Sequence, residues 1–398
     1  MRVLRAQFAL SCSCFSCHVL FSSALHPNCA LEINRCLKQP LREGGKTQHN
    51  YSVDLRSDTV TLPTGEMLDA IKRAKLGDDV YGEDPTVKKL EGMAAERTGK
   101  EAALLVASGT MANLVSLMSN ARRGELVFLE SESHMYWYEA GSVSAVAGLL
   151  PWPLKTETGA FNPEDLENAI RPRNIHFPEP SLICVENTHN RHGGTVITPK
   201  QLNAISAVAQ AHGLRVYLDG ARLFNAAVAL KINPKELTKH VDNLMFCLSK
   251  GLSCPVGSLV VGTQDFIDKA RRIRKLLGGG MRQAGVIAAP GIVALETMVN
   301  RLEEDHRNAR LLAAGIAKIE GLRVDTERVQ TNMVMVDTSG LGASEATFVS
   351  SLREAGVLVS AMGKNQARLV THRGIEKEDI EKAVPVIAKV AKRLLRRG

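Results

Sequence analysis

Short apolar runs alternate with longer stretches of helical periodicity from about residue 51 onward. Six of these runs predict strands, at residues 102–107, 126–129, 182–186, 216–219, 244–248 and 259–261. Continuous apolar strands separated by helices are typical of βαβ crossovers, in which a mostly parallel sheet is buried on both faces. The pattern therefore predicts an α/β fold with a mostly parallel sheet flanked by helices.

One helix is marked at both ends. Thr198 is placed to cap it, Pro199 to open it, Gln201 to complete a capping box and Gly213 to end it. These signals predict a helix over residues 199–212, between two of the predicted strands. A helix of this length suits a crossover between parallel strands.

The pattern changes near residue 290. A long helical periodicity covers residues 292–319, and short strands are predicted after it at residues 322–325, 332–336, 357–359 and 368–371. Further helices are predicted at residues 345–354 and 376–396. The chain therefore divides into a large domain, residues 51–290, and a smaller C-terminal α+β domain, residues 291–398.

Residues 1–50 differ in composition from the rest of the chain. They contain six Lys and Arg residues against two Glu, frequent Ser near the start, and five of the eight cysteines. This composition is typical of a mitochondrial transit peptide, and we expect a leader that is disordered or cleaved. A secretory signal is the rival interpretation, because residues 8–25 are fairly apolar, and a cytoplasmic protein with a non-targeting extension is the third.

Bulk properties exclude several classes of partner. The net charge is +8, but the basic residues are scattered and only five Tyr and two Trp accompany them, so no nucleic-acid surface is predicted. No apolar run reaches the roughly 18–20 residues of a membrane helix. No cysteine or histidine spacing demands a metal, because the cysteine cluster of the leader has no second pair. With nucleic acid and membrane not predicted as partners, we expect the protein to bind a small molecule.

The most informative residues are Asp219 and Lys250, each at the end of an apolar strand. Lys250 lies at the start of a turn that contains Gly251, and there its amine can form a Schiff base with an aldehyde cofactor. Asp219 is a carboxylate suited to the ring nitrogen of the same group. This pair predicts pyridoxal 5′-phosphate (PLP) as cofactor.

A phosphate site is predicted between the first strand and its following helix. Ser108, Gly109 and Thr110 stand there, and backbone N–H groups at a helix N-terminus bind anions readily. An ordinary helix cap at Ser108 is the alternative. The ends of parallel strands converge on one crevice, so we expect this turn to lie near Asp219 and Lys250.

Other candidate residues are histidines and arginines. His134 and His189 each follow a predicted strand and are candidates to stack on the cofactor or carry a proton, the alternative being hydrogen-bonded core histidines. Arg222 and Arg368 are candidates to clamp a substrate carboxylate, the alternative being ordinary ion pairs. The glycine run before Arg282 is either a flexible turn or an approach to a partner subunit or the cofactor phosphate.

Seven ordered motifs together resemble L-threonine aldolases of the low-specificity type. They cover the chain from about residue 53 to near its C-terminus and lie at residues 54–61, 77–85, 186–190, 219–225, 247–252, 278–283 and 368–372. The resemblance implies the aspartate-aminotransferase-like fold, called fold type I, and a homotetramer built as a dimer of dimers. It also implies retro-aldol cleavage of L-threonine or L-allo-threonine to glycine and acetaldehyde.

The resemblance further implies a role for each candidate residue. Lys250 carries the cofactor, Asp219 pairs with its ring nitrogen, and His134 stacks on the ring. Ser108, Gly109 and Thr110 bind the cofactor phosphate, and Ser57, Arg222 and Arg368 bind the substrate carboxylate. By the same resemblance, His189 lies near the substrate side chain, and Arg282 reaches the site of a neighbouring subunit. The base that takes the hydroxyl proton stays open between His134, His189 and water.

Alternatives to this activity remain at the level of sequence. Another PLP reaction on the same fold, β-elimination or transamination, uses the same pair of Asp219 and Lys250. A non-catalytic cofactor-binding protein is a second alternative. A serine hydroxymethyltransferase-like role is a third, but it requires a folate site, for which the sequence has no feature.

Overall fold

A computed structural model describes residues 53–396 of the 398-residue chain. The predicted leader lies outside the described residues, so its cleavage and its role in targeting stay predictions. The strands run β1 (Val53–Asp54), β2 (Ala102–Val106), β3 (Leu126–Glu130), β4 (Leu150–Leu154), β5 (Pro180–Glu186), β6 (Arg215–Asp219), β7 (Asn243–Cys247), β8 (Ser258–Gly262), β9 (Met333–Asp337), β10 (Val357–Leu358), β11 (Ser360–Gly363) and β12 (Gln366–Val370).

Helices occupy most of the remaining described chain. They run α1 (Gly65–Arg73), α2 (Pro85–Thr98), α3 (Gly109–Asn120), α4 (His134–Trp137), α5 (Ser142–Ala145), α6 (Pro163–Ala169), α7 (Pro199–Ala211), α8 (Leu223–Leu230), α9 (Lys235–Thr238), α10 (Gln264–Leu276), α11 (Gly285–Val293), α12 (Leu302–Ile316), α13 (Glu345–Glu354) and α14 (Lys377–Leu395). Helix α7 carries the capping box predicted for Thr198 and Gln201.

The central sheet has seven strands in the order β2-β8-β7-β6-β5-β3-β4. All neighbours are parallel except β8, which is antiparallel to both β2 and β7. The predicted mostly parallel sheet is thus confirmed. Strand β4 was not predicted, because its Pro151 and Pro153 are tolerated only at an edge, which is where the strand lies.

Both faces of this sheet are covered by apolar side chains. In β2, Ala103 and Leu105 join one hydrophobic cluster, whereas Leu104 and Val106 join another. Successive side chains of a strand point to opposite faces, so helices must cover the sheet on both sides. This explains why the strands are continuous apolar runs rather than alternating ones.

The C-terminal part forms its own small sheet. Strands β11, β12 and β9 pair antiparallel in that order, and the separate strands β1 and β10 pair with each other in parallel. A third hydrophobic cluster joins Val53 and Leu55 to side chains from α12, α13 and α14. The start of the described chain therefore packs with the C-terminal core. The division at residue 290 stays a prediction.

Two local predictions were wrong. The helix predicted over residues 292–319 is broken into α11, a π-helical turn at Ala294–Met298 and α12, with a 68° bend between the two halves. Apolar residues on both sides of the bend face a core, so periodicity alone does not reveal the change of direction. Residues 322–325 form no strand, but only an isolated bridge between Arg323 and Asp337.

Strand β11 was missed because neither central residue of its hairpin turn is glycine, although Gly363 lies directly before them. Lys364 and Asn365 turn the chain into β12 with φ angles of 52° and 59°. Such positive φ values at both central residues mark a tight hairpin turn, which asparagine tolerates better than lysine. Within residues 53–396, no single helix is long and apolar enough to cross a membrane, and only the bent pair α11 and α12 together reaches that length and composition.

Candidate active site

One cavity lies at the edge of the sheet where β2, β6 and β7 end. Gly109 follows β2, Asp219 ends β6 and Lys250 follows β7, and all three line this cavity. Strand ends of parallel strands share one edge, so the fold itself brings the three residues together. The predicted convergence of the cofactor residues is thus observed.

Asp219 is a buried carboxylate held by neutral donors. It is 2% exposed; Oδ1 accepts from the Ala221 N–H at 3.1 Å and Oδ2 from the Asn113 amide at 2.9 Å. No cationic side chain within residues 53–396 forms an ion pair with it. A buried charge needs a partner, and a protonated ring nitrogen supplies one of the right sign. Asp219 therefore fits PLP.

Lys250 is half-buried, and its amine forms no hydrogen bond or ion pair with another described residue. A turn sets its position, because its carbonyl accepts from the Ser253 N–H at 2.8 Å. Next to it, a Cβ at Gly251 would lie 2.8 Å from Cδ2 of Leu302, so only glycine lets α12 pack so closely. The amine is thus presented to the cavity without an acid that would hold it as a salt bridge.

The predicted phosphate turn is the N-terminus of α3. Ser108 caps the helix, since its Oγ accepts from the Met111 N–H at 3.2 Å, and both Ser108 and Thr110 are exposed. Of the three predicted residues, only Gly109 lines the cavity. A Cβ there would lie 2.9 Å from Sγ of Cys247, so a larger residue would fill the space beside the helix end. The phosphate roles stay predictions.

His134 opens α4 at the wall of the cavity. Its backbone N–H donates to Oε2 of Glu186 at 2.7 Å, and its Nδ1 lies 2.8 Å from Oε1 of Glu139. Burial opposes charge on the ring, but the bond with Glu139 and the carboxylate of Asp219 together raise the pKa of His134. Burial also raises the pKa of Glu139. The two groups therefore form a proton-sharing pair beside the cofactor site.

Asn113 links this pair to Asp219. Its Nδ2 donates to Oε1 of Glu139 at 2.7 Å and to Oδ2 of Asp219 at 2.9 Å, and its Oδ1 accepts from the Tyr217 hydroxyl at 2.7 Å. The sequence assigned no role to Asn113 or Glu139. Asn113 stands four residues after Gly109 on α3, which places both on one helix face, and this spacing was the available signal.

Arg222 is held by an acid that the sequence did not single out. Its Nε and Nη2 donate to the two carboxylate oxygens of Asp58, both at 2.7 Å, and both side chains are buried. Although burial opposes ionisation, Arg222 holds the pKa of Asp58 well below its usual range. Only Nη1 of Arg222 remains for other partners, and it lies 3.5 Å from Oδ1 of Asn190.

Arg368 meets Arg222 at the same asparagine. Its Nη1 donates to Oδ1 of Asn190 at 2.6 Å and its Nη2 to the Arg56 carbonyl at 3.3 Å. Its Nε is buried without a hydrogen-bond partner among the described residues. Burial, followed by repulsion from Arg222, lowers the pKa of Arg368 to about 10. An anion between the two guanidinium groups would relieve this repulsion.

Arg368 does not line the cavity, and neither do three other predicted residues. Ser57 caps a 3₁₀ turn and accepts from the Thr59 N–H at 3.2 Å. Arg282 is exposed and contacts Asp78 at 3.1 Å. His189 is fully buried, with Nε2 at 3.0 Å from Oε2 of Glu130. Their predicted substrate, partner-subunit and catalytic roles stay predictions.

Comparison with known proteins gives one consistent family. Residues 54–339 match the family described as beta-eliminating lyase. A probable low-specificity L-threonine aldolase of Arabidopsis thaliana is 44% identical, over 85% of this chain and 97% of the relative. The low specificity L-threonine aldolase of Escherichia coli K12 is 42% identical, over 82% and 96% respectively. The chain belongs to the beta-eliminating lyase family and, within it, is related to the low-specificity L-threonine aldolases.

The fold agrees with solved structures as well. A threonine aldolase structure from Leishmania major superposes with a TM-score of 0.73, covering 85% of this chain and 99% of that one at 22% identity. At this identity the likeness establishes the fold, which is the fold type I expected from the sequence motifs. The sequence relatives and the family model confirm the family resemblance, and they show that the chain is a carbon–carbon lyase.

Proposed function

We propose that this protein cleaves L-threonine and L-allo-threonine to glycine and acetaldehyde, with PLP bound at Lys250 and Asp219. The observation that carries the proposal is the pairing of an unengaged lysine amine with a buried, cation-free carboxylate in one cavity. The family of the chain supports the same reaction. Glycine formation and threonine breakdown are then its metabolic roles.

Different residues of the cavity hold different parts of the cofactor in this proposal. Lys250 would hold its aldehyde carbon, Asp219 would keep its ring nitrogen protonated, and His134 would lie beside its ring. Gly109 leaves room at the N-terminus of α3, where the phosphate is expected. When bound, PLP accepts the electron pair of the breaking Cα–Cβ bond.

Arg222 and Arg368 orient the substrate in this proposal. No nitrogen of Arg368 pairs with an acid among the described residues, and its Nε has no hydrogen-bond partner there. Nη1 of Arg222 is likewise not committed to Asp58, and both guanidinium groups converge on Asn190. A carboxylate bound there fixes the amino acid at one end. Fixing this end would orient the Cα–Cβ bond that is to break, and orientation of this kind supplies a large part of catalysis.

His134 is the base that the contacts favour for the hydroxyl proton. It lines the cavity, and Glu139 engages Nδ1, so Nε2 is the nitrogen left to act. Its tautomer is set by that bond. His189 is fully buried outside the cavity lining, and water remains the alternative proton acceptor.

Product analysis tests the function directly. Purified protein incubated with each threonine epimer should release glycine and acetaldehyde in equal amounts. Release of 2-oxobutanoate and ammonia instead would support β-elimination, and a new oxo acid formed at the expense of an amino acceptor would support transamination. A yellow protein that is inert toward both epimers would favour a non-catalytic role.

We further propose a homotetramer, built as a dimer of dimers, and a mitochondrial location. Arg282 pairs with Asp78 at the surface, and Val80 and Tyr81 beside it are 40% and 76% exposed. Apolar side chains next to a polar loop are typical of a subunit contact. The location rests on the basic, acid-poor composition of residues 1–50, and N-terminal sequencing of the mature protein tests it: an intact Met1 would exclude cleavage.

A further inference from the structure

Glu130, His189 and His192 form a cluster outside the cavity that holds Lys250. Nε2 of His189 lies 3.0 Å from Oε2 of Glu130, and Nε2 of His192 lies 3.5 Å from Oε1 of the same carboxylate. The three side chains offer one ligand atom each within 4.8 Å of one another. Glu130 comes from the end of β3, and the two histidines come from the chain after β5.

Hydrogen bonding satisfies the Glu130 carboxylate but leaves histidine nitrogens of the cluster without an aligned partner. Neither ring nitrogen of His189 has a well-aligned hydrogen-bond partner among the described residues, although the side chain is fully buried. Nε2 of His192 is likewise buried and unpartnered. Buried polar atoms are nearly always bonded, so two Nε2 atoms directed at one carboxylate without hydrogen-bond alignment point to a missing ligand.

Two separations within the cluster are compatible with a shared metal ion. Zinc bonds imidazole nitrogen and carboxylate oxygen at about 2.0–2.2 Å in a tetrahedron, so neighbouring ligand atoms lie ~3.3 Å apart. The observed separations of 3.0 and 3.5 Å, each to a different oxygen of Glu130, bracket this value, and one atom from each of the three residues lies within 4.8 Å of the others. Two imidazoles with one carboxylate form a ligand set that suits zinc and its neighbours rather than calcium or magnesium.

The surroundings support coordination in two ways. Glu130 is oriented by hydrogen bonds from the Glu132 N–H at 2.6 Å and the Thr156 hydroxyl at 3.2 Å, the outer contacts that metal ligands usually have. His192 also lines a neighbouring cavity of about 520 Å³. That cavity offers a path by which an ion could reach the cluster.

We propose that Glu130, His189 and His192 bind a divalent transition metal of the zinc class, with a solvent-facing fourth position. Occupancy commits Nε2 of His189 to the metal. His189 then cannot take the hydroxyl proton of the substrate, which leaves His134 or water. The metal also ties the end of β3 to residues 189–192, next to Asn190 and its two arginines.

Equilibrium binding of Co²⁺ tests the proposal, because four-coordinate cobalt absorbs visibly and competes with Zn²⁺ for the same sites. The chelator-treated holoenzyme should bind one Co²⁺ per subunit with that absorption, and Zn²⁺ should displace it. His192→Gln should weaken binding by at least about 100-fold, the upper cost of losing even an outer-shell contact. Retained cofactor absorbance verifies that this variant folds.

A matched control separates this cluster from an ordinary histidine–glutamate pair and from metal bound by the cofactor. His212 lies 2.6 Å from Oε1 of Glu167, with no third ligand nearby among the described residues. His212→Gln should leave Co²⁺ affinity unchanged. Absence of stoichiometric binding in the unmodified protein, or equal affinity in the His192→Gln variant, would overturn the proposal.

Discussion

Asp58 and Arg222 form a buried, two-pronged ion pair, with both N–O distances at 2.7 Å. They stand 164 positions apart and join the start of the described chain to the loop after β6. The guanidinium is thereby fixed in one orientation, with Nη1 directed toward Asn190. Asp58 thus positions Arg222, the guanidinium proposed to bind the substrate carboxylate.

Replacing Asp58 with asparagine should destabilise the protein strongly. The change leaves Arg222 buried and unpaired, which costs about 3–5 kcal/mol in comparable buried pairs. Thermal or denaturant unfolding of the Asp58→Asn variant measures the loss. Asp69→Asn is the control, because Asp69 forms only an exposed pair with Lys72 and should change stability little. Equal effects of the two changes would contradict the prediction.

The ion pair of Asp58 and Arg222 also makes the stability of the protein depend on pH. Arg222 depresses the pKa of Asp58, although burial opposes this, so the native state favours the ionised carboxylate more than the unfolded chain does. Its contribution to stability is therefore fully present at neutral pH. It is lost only as the pH falls below the usual range of a carboxyl group.

The sequence revealed those site residues whose chemistry is local. Asp219 and Lys250 end apolar strands, and parallel strand ends must meet, so pattern and chemistry together identified them. Asp58 carries no such signal, because its role depends on a partner 164 positions away. Glu139 lies in the short loop after α4, where no periodicity fixes its direction.

The same reasoning explains the limits of the fold prediction. Buried strands were found because burial on both faces makes a long apolar run. Strand β4 was missed because its prolines and exposed side chains are those of an edge, and the bend between α11 and α12 was missed because both halves face a core. The position of β4 at the edge of the sheet and the contact of α11 and α12 with the core determine these features, and local sequence does not reveal either one.

Lys250→Ala should abolish the visible absorption of lysine-bound cofactor and nearly all cleavage of threonine. No other lysine lines the cavity, so no second amine within the described chain is placed to substitute. Absorbance and glycine release measure the two effects. Lys239→Ala, at an exposed lysine paired with Glu236, should retain both. Undiminished glycine release by Lys250→Ala would refute the assignment.

Asp219→Asn should bind the cofactor but turn over slowly. The amide keeps the size of the side chain and the contact with Ala221 but loses the charge that holds the ring nitrogen protonated. We expect turnover to fall by at least about 100-fold, as when other preorganised electrostatic groups are removed. Steady-state kinetics with threonine measure the effect. A loss below about tenfold would argue against this electrostatic role.

Glu139→Gln should move the acid limb of the pH–rate profile to lower pH. Glu139 raises the pKa of His134 against the opposing effect of burial, and a proton acceptor works only in its neutral form. Without the carboxylate the pKa of the ring falls, so the ring becomes neutral at lower pH. Glu167→Gln, at the surface partner of His212, is the control and should leave the profile in place. An unmoved acid limb in Glu139→Gln would show that His134 does not set it.

Mixing two inactive variants should test whether Arg282 serves a neighbouring subunit. Arg282→Ala and Lys250→Ala should each be inactive, since one lacks the proposed partner contribution and the other the cofactor lysine. If subunits are re-paired at random, each hybrid dimer regains one site with both native residues, so about a quarter of native activity should return. Subunit exchange followed by an activity assay measures the rescue.

The control for this exchange is a mixture of Lys250→Ala with Asp219→Asn. These two residues line one cavity within a single chain, so every site in a hybrid keeps one defect and no activity should return. Arg282 lies outside that cavity, paired with Asp78, which is why its variant should behave differently. Hybrids that form but remain inactive in the Arg282 mixture would assign Arg282 to its own subunit or to no site.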